Sequence, residues 1–276
     1  MVLAHNVAVS IVLEGALIGI LVGIVIGSLG GGGGIVAVPV LVYLLGQSPH
    51  DAAASSLVIV GTSSLVSLIP HARRGNVDWR TGAIFAVASV GGNLGGARLS
   101  ALVDGEVLMV CFAGLLAVVA VVMARRAVTG RRRARGTLRT AEKVPGPWNL
   151  RRVLVVFVTA TAVGALTGFF GVGGGFAVVP ALLVALYLPM RSAVGTSLLV
   201  LVVASGVGLL GRLGQDLSPD WGLTFAFAGT SILGALIGSR VSRNARPEVL
   251  TACFAALLAA VAIFTAVSAV PALLSS

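Results

Sequence analysis

Two glycine-rich blocks are the part of this sequence best equipped to handle a ligand. The first runs Gly27-Ser28-Leu29-Gly30-Gly31-Gly32-Gly33-Gly34-Ile35-Val36-Ala37-Val38-Pro39, and the second Gly168-Phe169-Phe170-Gly171-Val172-Gly173-Gly174-Gly175-Phe176-Ala177-Val178-Val179-Pro180. A glycine inside a helix costs about 1 kcal/mol relative to alanine, so such a cluster marks an intended break between two apolar segments. The segment that restarts after each break, at Gly34 or Ile35 and at Gly175 or Phe176, presents unpaired N–H groups at the positive end of a helix dipole. Helix ends of this kind bind anions, and glycine lets the amides approach a ligand with no side chain between them. Gly31, Gly32, Gly33 and Gly34 in the first block, and Gly173, Gly174 and Gly175 in the second, are therefore candidate substrate contacts. The plainer alternative is that these glycines only let helices pack closely or turn tightly.

Hydroxyls form the second candidate set. Ser55 and Ser56 follow the first block and Thr196 and Ser197 the second, with Thr62, Ser63, Ser64, Ser67 and Ser205 further along. A hydroxyl donates to an anionic oxygen without adding charge, and it can equally bond its own backbone or a neighbouring helix. Pro39 and Pro180 lie about one turn into the restarted segments, where the missing N–H frees a carbonyl and kinks the helix. Arg98 and Arg240 end two later apolar segments at equivalent positions and are candidates to gate an anion, against the usual habit of an interfacial arginine, which reaches out to headgroups.

Other chemistries lack residues to carry them. No HExxH, Walker A, GxSxG or cysteine-pair metal motif occurs, so no catalytic residue, metal ligand or cofactor is expected and the protein does not read as an enzyme. Apart from Glu14 near one end of the first apolar run, no acid lies well inside an apolar segment, which argues against a carboxylate proton relay. Cys111 and Cys253 fall in segments that the topology below places toward opposite faces, which excludes a disulfide between them.

The elements that position these groups are membrane helices. Of 276 residues, 57% are hydrophobic and only 10% charged, with a mean hydropathy of +1.06. An ordinary soluble domain carries about 25% charged residues. The net charge of +10 sits in short arginine clusters between apolar runs, where it orients membrane segments, and no nucleic-acid motif accompanies it. The first run, preceded by no basic flank or cleavage site, reads as a retained helix. Apolar segments cover approximately Val7 to Leu29, Ile35 to Leu45, Asp51 to Ile69, Thr81 to Ser100 and Val107 to Ala124. After the arginine-dense stretch 125–152, which reads as a loop with its Pro145-Gly146-Pro147 turn, they resume as Val153 to Phe170, Phe176 to Leu188, Ser192 to Leu210, Gly222 to Ser239 and Val249 to Val267.

The two sets of five match residue by residue at an offset of about 141 to 142 positions. Pro39 answers Pro180, Ser55-Ser56-Leu57 answers Thr196-Ser197-Leu198, Trp79 answers Trp221, Gly92, Gly96 and Arg98 answer Gly234, Gly238 and Arg240, and Cys111-Phe112-Ala113 answers Cys253-Phe254-Ala255. An odd number of spans per half requires the second half to insert upside down relative to the first, the inverted-repeat plan of many secondary transporters. The expected architecture is thus an all-α polytopic membrane protein of about ten transmembrane helices in two inverted five-helix repeats, residues 1–124 and 153–276, joined by a linker at 125–152. With both termini outside, Arg73, Arg74, Arg80, the linker, Arg191, Arg240, Arg243 and Arg246 fall on the inner face, and only Arg98 and Arg212 on the outer. Gly34 to Gly46 is about 13 residues, roughly 20 Å as a helix, short of a 30 Å hydrocarbon core. Both glycine turns are therefore recessed from opposite faces, and irregular backbone at that depth calls for a protein-lined or wet cavity around it.

The paired G-x-x-G-x-G-G-G-x-x-x-x-P blocks, the A-x-x-[ST]-S-L that follows each (Ala52 to Leu57, Ala193 to Leu198) and the later G-x-x-x-G-x-R (Gly92 to Arg98, Gly234 to Arg240) resemble the TauE/SafE sulfite exporter family over nearly the whole chain outside the linker. The resemblance implies a prokaryotic plasma-membrane permease for small sulfur-containing anions such as sulfite, sulfoacetate or other organosulfonates. In the first block Gly31 stands where the second has Val172, a departure from strict symmetry. The partners expected are a small anionic substrate and membrane lipid, with no nucleic acid, and a homo-oligomer is left open. Two other functions compete: proton- or sodium-coupled uptake of sulfate or another organic anion, and a non-transporting membrane scaffold or sensor working through the arginine-rich loop.

Overall fold

The computed structural model describes residues 2–30, 32–100, 102–103, 105–134, 149–170, 175–212 and 220–275. They form ten α-helices: α1 (Val2–Leu29), α2 (Gly32–Pro39), α3 (Pro49–Arg73), α4 (Trp79–Ser100), α5 (Gly105–Ala134), α6 (Leu150–Phe170), α7 (Gly175–Val184), α8 (Met190–Leu210), α9 (Trp221–Asn244) and α10 (Pro247–Ser275). No strand occurs among the described residues. The helix boundaries follow the apolar segments, with extensions at α5 and α10, the latter running past Val267 to Ser275. α5 continues past Ala124 to Ala134, through residues expected to begin a loop, because alanine and arginine are strong helix formers and no glycine or proline interrupts them before Gly130. Arg135, Arg139, Lys143 and the Pro145-Gly146-Pro147 turn lie outside the described residues, as do Gly31, Gly173 and Gly174.

Six of the helices are long and apolar enough to cross a membrane by themselves: α3, α5, α6, α8, α9 and α10. Three others expected to span, α4, α2 and α7, fall short for different reasons. α4 is 22 residues long, but Arg80, Asn93, Arg98 and five glycines dilute its apolar content. α2 and α7 are simply short, at 8 and 10 residues.

Glycine decides which helices touch. Gly19, Gly23 and Gly27 of α1 lie against Thr230, Ser231 and Ala235 of α9, and Gly234 and Gly238 of α9 lie against Ile20 and Ile24 of α1, so closely that a Cβ at Gly23, Gly27, Gly234 or Gly238 would meet a carbonyl oxygen of the partner. The same arrangement joins α4 to α6. Gly92 and Gly96 meet Thr161 and Ala165, and Gly164 and Gly168 meet Ser89 and Asn93. Without a side chain on either face, the two backbones approach to full dispersion contact, which is the main attraction available between helices surrounded by lipid.

The registers of these contacts also give the helix directions. Partner numbers rise together for α1 with α9 and for α4 with α6. They rise together for α3 with α9, through Ser55 to Thr224, Ser63 to Ser231 and Ser67 to Ala235, and for α4 with α8, through Asp78 to Thr196 and Gly82 to Leu199. Between α3 and α8 they run oppositely, Gly208 lying on Leu57 and Gly61 on Ser205. Hence α1, α3 and α9 point one way and α4, α6 and α8 the other. Because α1 and α3 are parallel, α2 and the segment after it return the chain to the face where α1 began, and α7 does the same between α6 and α8.

Each short helix is shaped by its proline and its exit. Pro39 cannot donate to a carbonyl one turn back, and from Val40 to Leu44 the chain widens into a π-helical turn. It leaves through Gly46 at φ 67°, with Gln47 N–H donating to Leu41 O at 3.0 Å. α7 leaves in the same way, Leu188 N–H donating to Leu182 O at 3.0 Å, although the residue that takes the left-handed conformation is Tyr187, at φ 54°. Both are helix-ending turns in which a positive φ lets an amide reach six residues back.

The crossing geometry predicts a sharp contrast among glycines. Gly23→Val and Gly92→Val force a branched side chain onto a partner carbonyl and should lower stability by about 3 kcal/mol or more, read as a large fall in thermal unfolding temperature in detergent. Gly91→Ala, which faces open space, should leave it unchanged or slightly raised.

Candidate functional site

The first glycine turn is assembled from three helices. α1 ends with the Ser28 hydroxyl donating to Ile24 O at 2.6 Å. Gly30 then adopts φ 68° while its N–H donates to Ile26 O at 2.9 Å. A side chain here would be strained, and it would also meet Val194 and the Ser197 hydroxyl on α8. Two residues later α2 begins, and Gly33 lies directly on the Ile26 side chain and Val22 of α1. Gly33 thus serves the close helix return as well as any ligand. Gly32 starts α2, and Gly34 and Ile35 follow it, both buried.

The contact that closes this turn comes from the other half of the chain. Ser197 Oγ donates to the carbonyl of Gly30, its alternative acceptor being Val194 O at 2.8 Å on its own helix. Around the second turn, where Gly175 starts α7, the described flanks are aromatic. Phe170 before it and Phe176 after it both pack on Phe112 of α5, with ring centroids 5.4 and 5.7 Å apart. At the first turn the corresponding flanks are aliphatic, Leu29 and Ile35, both buried. The two turns therefore differ in their walls as well as in sequence. α2 and α7, the short helices that follow the two breaks, are in contact with each other.

The hydroxyl candidates do not all face the turns. Thr196 Oγ1 accepts from the Asp78 N–H at 2.9 Å. Asp78 in turn caps α4, accepting from Thr81 N–H at 3.0 Å and from the Thr81 hydroxyl at 2.6 Å. Ser55 Oγ is hydrogen bonded to Thr224 Oγ1 at 3.0 Å, and Asp220 caps α9 through the Leu223 N–H at 3.0 Å. Ser55 and Thr196 thus anchor the starts of α9 and α4, each in the opposite half of the chain. Ser56 donates to Ala53 O at 2.9 Å. Ser55, Ser56, Thr196 and Ser197 are all at 0% exposure, so the seam between the halves is closed here. Asp78 and Asp220 escaped the sequence reading because it looked for acids inside apolar segments. Their signal was local: an acid immediately before the paired Trp79 and Trp221, placed to cap.

Arg98 and Arg240 sit apart from the turns. Both are exposed, and the Arg240 guanidinium returns to Leu236 O on its own helix at 3.5 Å. Pro39 and Pro180 lie inside the short helices, both buried, with Pro39 at the switch from α- to π-helical winding.

Further polar groups line the α1–α3–α9 contact. Ser63 Oγ donates to Ser231 Oγ at 2.9 Å, Ser67 Oγ reaches Ala235 O at 3.5 Å, and the buried His71 places Nε2 3.3 Å from Gly27 O, the residue that opens the first glycine block. Arg74 donates to Ser239 O at 3.0 Å. An apolar cavity of about 390 Å³ lies elsewhere, between α5 and α10, lined largely by alanines that include Ala120, Ala124, Ala255 and Ala259. Among the described residues no group of histidines, cysteines and acids is placed to hold a metal ion.

Residues 15–265 match the family model described as sulfite exporter TauE/SafE. A probable membrane transporter protein of Xylella fastidiosa (strain 9a5c) is 37% identical over 239 residues, covering 86% of this chain and 87% of its own. In Bacillus subtilis (strain 168), the probable membrane transporter protein YunE is 28% identical over 78% of this chain and 83% of its own, and YdhB is 26% identical over 80% and 86%. No solved structure matches the chain.

Two stability measurements separate the roles assigned above. Ser197→Ala leaves the buried Gly30 carbonyl without its cross-half donor and should lower stability by about 1–3 kcal/mol, and Asp78→Ala should lower it by about 1 kcal/mol through loss of the cap. Arg98→Ala and Arg240→Ala should leave the unfolding temperature in detergent unchanged.

Proposed function

We propose a function from one premise: this chain belongs to the sulfite exporter TauE/SafE family and is a multi-pass membrane transporter. It moves small oxyanions, sulfite or short organosulfonates, across the plasma membrane by alternating access, and its halves are two inverted repeats of five helices. The observation that carries this reading is the meeting of α2 and α7. Two short helices, each restarting after a glycine break, touch inside the bundle while their flanking helices run in opposite directions. A transporter built this way holds its substrate where helices are interrupted, near the interface of the repeats.

Opposite insertion is supported by the helix directions, since α6 opens the second half antiparallel to α1. The arginine distribution supports a cytoplasmic linker and external termini. Within the site, the amides of Gly32, Gly33 and Gly34 and of Gly173, Gly174 and Gly175 supply positive ends of helix dipoles for the anion. Ser197 has the further task of fixing the first turn. The motion that opens the site to each face in turn keeps the glycine crossings of α1 with α9 and of α4 with α6, which join the halves at backbone distance, and exchanges polar contacts such as Ser197 with Gly30, Asp78 with Thr196 and Ser55 with Thr224.

No acid is placed within the described apolar interior to drive a proton cycle, so the membrane potential itself supplies the direction. An inside-negative potential favours expulsion of a monovalent anion by about 2.3 kcal/mol per 100 mV. Proteoliposomes carrying the purified protein should therefore release sulfite or methanesulfonate on imposition of a potential, with no cation gradient. At 100 mV the monovalent anion should approach about a 50-fold distribution at equilibrium, the ratio equivalent to that free energy. Efflux that ignores the potential and requires a sodium or proton gradient overturns the uncoupled export.

A further inference from the structure

Buried hydroxyls in this bundle follow two habits. Some bond a carbonyl of their own helix, as Ser56 does to Ala53 O at 2.9 Å, Ser89 to Ala86 O at 2.8 Å and Thr167 to Val163 O at 2.7 Å. Others bond a neighbouring helix, as Ser63 does with Ser231 and Ser55 with Thr224. Ser64 and Ser205, like Thr265 on α10, do neither. At 0% and 3% exposure they are as buried as the rest, and neither hydroxyl has a hydrogen-bond partner. A helical serine can reach the carbonyl three or four residues back by a simple rotation about χ1. These two side chains hold their hydroxyls away from that remedy.

Their positions are not independent. Ser64 and Ser205 occupy the same place in the two halves, at the offset that pairs Leu57 with Leu198. They also lie on the faces that meet. Ser205 packs on Gly61, where an added Cβ would come 3.0 Å from its own, and Ser64 is one turn beyond Gly61 on α3, within the reach of neighbouring side chains on one helix face. The antiparallel crossing of α3 and α8 thus sets one unpaired hydroxyl from each half on either side of its centre. Between Asp51 and His71 on α3, and between Arg191 and Arg212 on α8, there is no charged residue. The seam offers donors and no carboxylate to repel an anion.

We propose that Ser64 and Ser205 are a pair of donors to the oxygen atoms of a small oxyanion, engaged when α3 and α8 part to admit it. The assignment rests on the anion-transport reading above and deepens it by naming a contact outside the glycine turns. A neutral hydroxyl pair holds an anion without the lasting attraction of a lysine or arginine, which suits a site that must also release it.

The test compares wild type, Ser64→Ala, Ser205→Ala and the double variant in proteoliposomes loaded with sulfite, alongside thermal unfolding in detergent with and without sulfite. Each single change should raise the KM for sulfite about tenfold, the effect of one lost hydrogen bond to a charged group, and the double change about a hundredfold. The upward shift of unfolding temperature produced by sulfite should be lost, while the ligand-free unfolding temperature stays the same or rises, because alanine removes a buried polar group that had no partner. A double variant with wild-type KM and a wild-type sulfite shift overturns the pair as a substrate contact and leaves anion transport standing. So does a fall in ligand-free stability with KM unchanged, which marks the serines as structural. A wild type that neither transports sulfite nor is stabilised by it overturns the transport reading and this contact together.

Discussion

A bundle surrounded by hydrocarbon has no water with which to satisfy a broken helix, and that constraint shapes this protein. The first half interrupts itself at a glycine block in the interior, releasing carbonyls and amides where they are most expensive to leave unpaired. At the first block the remedy is visible: Gly30 offers its carbonyl and Ser197, from the other half, donates to it. The break is therefore completed only when the two halves assemble. The same exchange recurs at the starts of α4 and α9, whose capping acids Asp78 and Asp220 sit beside Thr196 and Ser55 of the opposite half.

Close helix packing makes that exchange feasible. Glycines at four-residue spacing on α1, α4, α6 and α9 bring α1 against α9 and α4 against α6 at backbone distance. Helices drawn from opposite halves are thus joined more intimately than most neighbours within a half. The hydroxyls of α3 add a polar seam beside the first of these contacts, through Ser63 with Ser231 and Ser67 with Ala235. The glycine crossings leave no room for gradual deformation, whereas hydroxyl contacts of this sort can be exchanged.

The halves are alike in plan and different in detail. Gly46 takes the left-handed turn after the first short helix, and Tyr187 takes it after the second. Leu29 and Ile35 flank one glycine turn, Phe170 and Phe176 the other. His71 touches the chain at Gly27, whereas Arg212 stands at the matching position of the second half and donates to His50 O at 3.4 Å.

The sequence alone determined that this is an all-helical membrane protein, roughly where its helices lie along the chain, and that two matching halves carry matching glycine breaks. Those properties are local. Apolar length, glycine and proline act on the chain within a few turns, whatever it later packs against. It also made the short segments legible, because about 13 residues, roughly 20 Å of helix, cannot cross the hydrocarbon core unaided. Only the tertiary structure decided which hydroxyls meet which backbone. Ser55, Thr196 and Ser197 look interchangeable in sequence, yet one closes a glycine turn and two hold distant helix starts. Likewise Ser64 and Ser205 stand out only when their neighbours are known to have partners. A hydroxyl's role is set by what the far half of the chain places within about 3 Å of it, and no spacing within one segment encodes that.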